Sequence, residues 1–337
     1  MVTQPLSDEL HQYVSETKSE VMKNLSLLLV LLCISFVSCN KESNTPVPLV
    51  IEGITFENYP KLDGSTSVNP LLTIIACKLL NVPYSWQPNL ENTYYIQPDY
   101  EKAFAVSPNF YDIAGYMTTG THSSYLNLID GKADLILVAR TASEDEKTHA
   151  NELGVNLIET PIALDAFVFI TNKNNSVKNL TIKQIQDIYM GNITNWKALG
   201  GKDAKINPYI RNDNSGSHEL MKELVMEDLE MPDWSEFGIG GMRPVFYILD
   251  NDVDGICYAV YYYKEQMVRD EMVRSFSING VYPDSKSLRN NKYPLTTYVF
   301  AVIRSDLDKN NMAYKLYELL QTEAGKSTIE ESGYIPN

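Results

Sequence analysis

The sequence predicts an α/β protein of two domains, on three observations. Extended apolar segments alternate with helical ones along most of the chain, as in sheets covered by helices. The chain has 337 residues, enough for two domains of about 100–200 residues each. Hydrophobic residues make up 44% and charged residues 21%, the balance of a folded globular chain and not of a disordered one.

Each element is read from its residues, in order. Residues 49–56 read as a strand and 68–80 as an apolar helix. Residues 84–112 are rich in Tyr, Pro and Asn without a clear period, which reads as an irregular insertion. Helix is expected at 123–129 and a buried strand at 133–138. The charged stretch 143–152 reads as a helix capped by Ser143. The run IALDAFVFIT at 162–171 is a strongly apolar strand. An amphipathic helix over 181–189 starts from a Thr cap, followed by a strand at 206–211 and a helix at 215–228. The apolar stretch 255–263 fits strand or helix. A strand at 298–303 and helices at 312–320 and 325–332 close the chain. No internal repeat is visible.

The N-terminus reads as an address. Residues 22–39 are MKNLSLLLVLLCISFVSC. Lys23 gives a short positive region before an apolar run at 25–37. That run is shorter than the about 20 residues that span a bilayer and fits a secretory signal. Phe36-Val37-Ser38-Cys39 resembles a bacterial lipoprotein signal in which Cys39 receives lipid. Residues 1–39 are therefore expected to be a signal region, with Met22 as the start and 1–21 not native. Residues 40–48, polar and proline-bearing, are expected to be a tether. The expected location is periplasmic or cell-surface, lipid-anchored to a membrane.

Lys plus Arg is 28 and Asp plus Glu is 43, a formal charge of −15. Such a chain does not coat nucleic acid through its overall field, and an anion it binds needs a local site. The four cysteines are too few for a disulfide-built scaffold. Cys77 and Cys257 lie in apolar runs and read as buried small hydrophobes.

Three segments share one design, a Gly/Ser/Thr turn feeding a helix: Asp63-Gly64-Ser65-Thr66-Ser67-Val68, Thr119-Gly120-Thr121-His122-Ser123 and Asn214-Ser215-Gly216-Ser217-His218. Such turns offer hydroxyls, free backbone N–H groups and the positive end of the helix dipole, a ready anion site. Ordinary capping explains any one of them. Arg211 and Arg140 stand at strand ends near these turns, where an Arg can present a bidentate fork to an oxyanion. His218 and His122, each just after such a turn, line the cleft or lie within the first helical turn.

The chain resembles the phosphate-binding proteins of bacterial ABC phosphate importers, which have the type II periplasmic-binding-protein fold. The matching segments are DGSTSVNP (63–70), GKADLILVART (131–141), IALDAFVFITN (162–172), LTIKQIQDIYMGNITNWKALGG (180–201), INPYIRNDNSGSHELM (206–221), NKYPLTTYVF (291–300) and GYIP (333–336). They cover nearly all of the mature chain in the family's order. The resemblance implies two α/β lobes joined by a hinge, with the ligand in an interlobe cleft. Lobe one is expected at 49–163 plus 276–337 and lobe two at 164–275. Ser65, Thr66 and Ser67 match the first donor loop, and Gly120 and Thr121 the second. Arg211 matches the lobe-two Arg that grips phosphate, Asp213 the acid that braces it, and Ser215, Gly216 and Ser217 the third loop. Arg140 matches a Ser-Arg pair of one branch. Some members carry an Asp where this chain has Ala139, to accept the proton of hydrogen phosphate. Asp165 and Asp63 are the candidate substitutes, Asp165 with a hinge hydrogen bond as its other reading.

The function so implied is capture of inorganic phosphate outside the cytoplasm and delivery to ABC permease subunits by hinge closure, by a monomer, with no enzyme activity, cofactor or metal. The alternatives are a binding protein for sulfate or molybdate, or a repurposed surface lipoprotein for sensing or adhesion. A hydrolase reading, Ser215 or Ser217 with His218, lacks the G-x-S-x-G turn. His11, His122, His149 and His218 show no metal-ligand spacing.

Overall fold

The computed structural model describes residues 47–89, 93–114 and 118–337. The apolar run at 25–37, Cys39 and the tether up to residue 46 lie outside the described residues. The first half of the described chain carries β1 (Leu62–Gly64), α1 (Asn69–Leu79), β2 (Tyr84–Pro88), β3 (Tyr94–Pro98), α2 (Tyr100–Val106), α3 (Thr121–Ile129), β4 (Leu135–Val138), α4 (Glu144–Glu152) and β5 (Leu157–Asn172). Then come β6 (Asn179–Leu180), α5 (Ile182–Tyr189), β7 (Asn207–Pro208), β8 (Ile210–Arg211), α6 (Gly216–Met221), β9 (Gly238–Ile239), α7 (Arg243–Asn251) and β10 (Gly255–Val260). The last elements are β11 (Val273–Ser275), β12 (Ser277–Ile278), α8 (Ser285–Arg289), β13 (Thr296–Arg304), α9 (Met312–Leu319), α10 (Glu323–Glu331) and β14 (Ile335–Pro336).

Strand β5 organises the sheet, whose order is β1-β4-β13-β5-β10-β7. From Leu157 to Ala166 it runs antiparallel to β13, with a bulge at Val299/Phe300. From Phe167 to Thr171 it runs antiparallel to β10. One strand therefore threads two sets of strands, β1, β4 and β13 on its first part and β10 and β7 on its second. β11 adds to the second part and β14 to the first. This is the two-lobed arrangement of a type II binding protein, with its changeover at Asp165 and Ala166. The sequence reason is β5 itself: sixteen residues, the last eight all buried. A strand buried on both faces reads as a continuous apolar run instead of an alternation. Around its second half Phe167, Phe169, Tyr189 and Tyr258 pack ring on ring, with centroids 5.3–6.1 Å apart.

Several expectations are corrected. Residues 49–56 form turns, not a strand, and the first strand is β1. The described residues of 84–112 carry regular structure: β2 and β3 pair antiparallel, and Asp99 caps α2 by accepting from the Lys102 amide. Its strand signal, with Trp86 opposite Ile96, Tyr84 opposite Pro98 and Tyr94 opposite Pro88, is masked in sequence by Pro and Asn. Beyond 275 the chain stays with the second set of strands, since β12 pairs with β6 and Phe276 stacks on Trp196 at 6.0 Å. The return comes only at β13. The helix expected at 215–228 is α6 followed by a π-helical turn at Lys222–Met226. At 255–263 the strand reading holds for β10, and the chain turns helical after it. Cys77 and Cys257 are both free and buried.

Candidate oxyanion site

A cavity of about 310 Å³ opens where the three Gly/Ser/Thr turns converge. Ser65, Thr66 and Ser67 reach it from the end of β1. Gly120, Thr121 and His122 reach it from the start of α3, and Ser215, Gly216 and Ser217 from the start of α6. The first two turns belong to the first set of strands and the third to the second set, so the cavity lies between the lobes. The turns touch: a Cβ built on Gly216 would stand 2.3 Å from Thr121 Oγ1. No side chain larger than hydrogen fits there while the lobes are this close.

The first two turns are locked together. Ser65 Oγ accepts from the Ala139 amide at 3.0 Å and lies 2.7 Å from Thr121 Oγ1. Either hydroxyl can be the donor of that contact, and the hydrogen that it does not use is left for the cavity. Gly120, at φ +92°, lets the backbone enter α3 in a conformation that L side chains rarely adopt. Asp63 does not face the cavity. Its Oδ1 accepts from the Gly64 and Thr119 amides and its Oδ2 from Thr119 Oγ1 and Asn127 Nδ2. All its acceptor capacity goes into tying the second turn to β1.

Arg211 lines the cavity and is 3% exposed. Its amide donates to Tyr258 Oη at 3.0 Å and its Nε to the Ile239 carbonyl at 3.3 Å. Its Nη1 is buried with no hydrogen-bond partner, and among the described residues no carboxylate lies in ion-pair range. Burial holds the guanidinium below its ordinary pKa. An orphaned buried charge is costly, and here it faces an interlobe cavity. Tyr258 also lies 2.9 Å from His218 Nδ1, so the buried His218 stands behind the Arg211 backbone through the Tyr258 hydroxyl. Burial lowers the His218 pKa.

Two expected site residues, Arg140 and Asp165, lie elsewhere, and Asp213 lines the cavity without its expected role. Arg140 does not line this cavity. Its Nη1 and Nη2 bind Glu146 Oε2 and Oε1 at 2.8 and 2.7 Å, and its guanidinium lies 5.6 Å from the Tyr125 ring centre. Desolvation pulls its pKa down and Glu146 more than restores it. A fork already filled by a carboxylate is not offered to a ligand. Asp213 reaches the cavity mouth with its side chain 92% exposed, 3.6 Å from His218 Nε2, and does not brace Arg211. Asp165 is fully buried at the changeover in β5, accepting from the Ala166 and Tyr262 amides at 2.8 and 3.0 Å. Desolvation pushes its carboxyl up to about 7, and its Oδ2 has no partner. Tyr298 packs against Phe300 and does not line the cavity. His122, Asp145 and Glu146 approach one another as a cation site would require, but the Arg140 guanidinium already fills the Glu146 carboxylate.

Fold and cavity together define a two-lobed binding protein whose interlobe site is built for a small oxyanion. Residues 94–325 match the PBP superfamily domain, and the chain belongs to that superfamily. It is similar to the phosphate-binding protein PstS of Borreliella burgdorferi, with 25% identity over 213 residues, 61% of this chain and 75% of the relative. It is similar also to PstS of Bacillus subtilis, with 27% identity over 183 residues, 53% of this chain and 58% of the relative. Among solved structures, a phosphate ABC transporter substrate-binding protein of Clostridium perfringens with bound phosphate superposes with a TM-score of 0.59 at 25% identity, over 82% of this chain and 98% of that one. An ABC-type phosphate transport receptor of Vibrio cholerae shares the fold at 21% identity and a TM-score of 0.57, over 82% of this chain and 99% of that one.

Proposed function

We propose that this chain captures inorganic phosphate outside the cytoplasm and delivers it to an ABC importer by hinge closure. It is a substrate-binding protein and not an enzyme. The observation that carries the reading is the buried, unpartnered Nη1 of Arg211 in a cavity on which the hydroxyls and backbone of three turns converge. The names of the Borreliella, Bacillus and Clostridium proteins support phosphate as the anion. Thr66, Ser67 and Thr121 supply the lobe-one donors, with Ser65 and Gly120 shaping their turns, and Arg211, Ser215, Gly216 and Ser217 supply those of lobe two. Ligand contacts to both lobes stabilise the closed state. We take the lobes to meet in β5 near Asp165 and again near β13.

Calorimetric titration with phosphate, arsenate, sulfate and molybdate at matched ionic strength tests this. Tight phosphate and arsenate binding is expected, with Arg211→Ala weakening phosphate by on the order of 100-fold, the effect of removing one partner of a buried charge pair. Near-unchanged affinity in that variant would remove Arg211 from the site. Absence of heat with every anion would favour a surface lipoprotein that has lost transport.

The anchor is part of the same reading. Among the described residues no helix is long and apolar enough to cross a membrane. Lipid on Cys39 and a short tether would hold a monomer at the membrane surface. Cys39→Ser should move the protein from the detergent phase to the aqueous phase on Triton X-114 partitioning, and unchanged partitioning would remove the anchor.

A further inference from the structure

His122 is the second residue of α3 and lines the interlobe cavity. Its Nδ1 lies 3.0 Å from Glu146 Oε1 and 3.5 Å from Asp145 Oδ2. Glu146 is fully buried. Both its oxygens accept from Arg140, and Oε2 accepts also from the Ser143 amide. A carboxylate held in this way only accepts, so the hydrogen between it and His122 belongs to Nδ1. A ring nitrogen so committed fixes the tautomer of a neutral imidazole and leaves the lone pair on the other nitrogen. That nitrogen, Nε2, makes no hydrogen bond among the described residues.

The site is rich in donors, and its Ser and Thr hydroxyls can donate or accept. Arg211 and the backbone amides of the turns only donate. Ala139, which lines the cavity at the end of β4, brings no acceptor side chain. The one carboxylate among the described lining residues, Asp213, is hydrated at the mouth. Hydrogen phosphate brings one O–H that needs an acceptor, whereas sulfate brings none, and a buried donor left unpaired is costly.

We propose that His122 Nε2 accepts the hydrogen of bound hydrogen phosphate, its ring held in that tautomer by Glu146 and Arg140, and so sets the preference for phosphate over sulfate. This rests on the phosphate reading above. The device inverts on protonation. Imidazolium carries a hydrogen on Nε2 as well, donates to any oxyanion, and no longer distinguishes the two. The charged groups that act on the ring are Asp145 and Glu146 from α4, Arg140 from the end of β4, and Arg211 and Asp213 from across the cavity.

Phosphate and sulfate affinities of the wild type, His122→Ala and His122→Gln at pH 8 and pH 5.5 test the proposal, with far-UV circular dichroism to establish folding. At pH 8, His122→Ala should lose about 10–100-fold in phosphate affinity, the effect of one unpaired donor, with sulfate within about 3-fold of wild type. His122→Gln, whose amide oxygen can accept, should recover part of the loss. Wild-type sulfate binding should tighten on acidification, and that of His122→Ala should not. An unchanged phosphate-to-sulfate ratio in folded His122→Ala would overturn the proposal while leaving phosphate capture standing. Failure of the wild type to bind phosphate would overturn both.

Discussion

Two buried ionisable residues have opposite fates at the cleft and the hinge. Arg211 keeps its charge in a dry place because an anion can complete it. Asp165 has no cation near it and resolves its burial by holding its proton, with the carboxyl pushed up to about 7. An unfolded chain titrates an Asp at about 3.9. Between those values the folded protein binds the extra proton. The contribution of Asp165 to stability is therefore fully present below about pH 3.9 and is lost as pH rises through about 7. The loss is bounded at roughly 4 kcal/mol, three units of displacement. Asp165→Asn cannot ionise, so its melting temperature should gain on the wild type as pH is raised from 5 to 8. A difference between the two that does not change with pH would mean that Asp165 is already ionised in the fold.

At the scale of elements, the β2–β3 hairpin acts as a strap. Arg269, which ends the helical turn after β10, places its guanidinium 4.2 Å from the Tyr94 ring centre and 5.4 Å from that of Trp86. A segment inserted between α1 and α3 is thereby clipped to a segment that follows β10. A guanidinium between two rings contributes about 0.5–2 kcal/mol, so Arg269→Ala should lower stability by about 1 kcal/mol in a denaturant titration. The oxyanion cavity is elsewhere, so affinity should hold, and a large fall in affinity would tie the hairpin to the closing motion. In the second core, Phe169 is fully buried against three other rings. Phe169→Ala should cost about 3–5 kcal/mol.

Across the whole molecule, closure depends on one absent side chain. The lobes can approach until the Gly216 backbone meets Thr121, because glycine leaves that space empty. Gly216→Ala puts a methyl group 2.3 Å from Thr121 Oγ1, far inside van der Waals contact. The fold of each lobe has no need of this glycine, so the variant should fold and remain open. Small-angle scattering should show the wild type contracting with phosphate and Gly216→Ala failing to contract. Contraction of the variant to the wild-type dimension would mean that the turns are not the closing contact. Binding that requires both lobes also couples to stability: at 100 times Kd, phosphate should add about 2.7 kcal/mol, read as a rise in melting temperature that Arg211→Ala abolishes.

Local patterns were enough for much of this protein. The apolar run of β5, the caps at Ser143 and Thr181, and the three Gly/Ser/Thr turns are all legible because each depends on neighbours within a few residues. The order of motifs was enough to expect two lobes and a role for Arg211. What the sequence could not reveal depends on distance. Arg140 and Arg211 look alike at strand ends, and only the packing of α4 brings Glu146 to fill one and leaves the other open. Asp63 and Asp165 look like acceptors until the amides that surround them are seen. His122 reads as an ordinary helix-start residue until its Nδ1 is seen against Glu146, which Arg140 holds. The hairpin was missed because Pro and Asn break its alternation locally, while the packing that holds it comes from Arg269, far along the chain. Tertiary structure decided which polar groups are satisfied and which are left for a ligand, because a hydrogen bond depends on distance in space and not on separation in sequence.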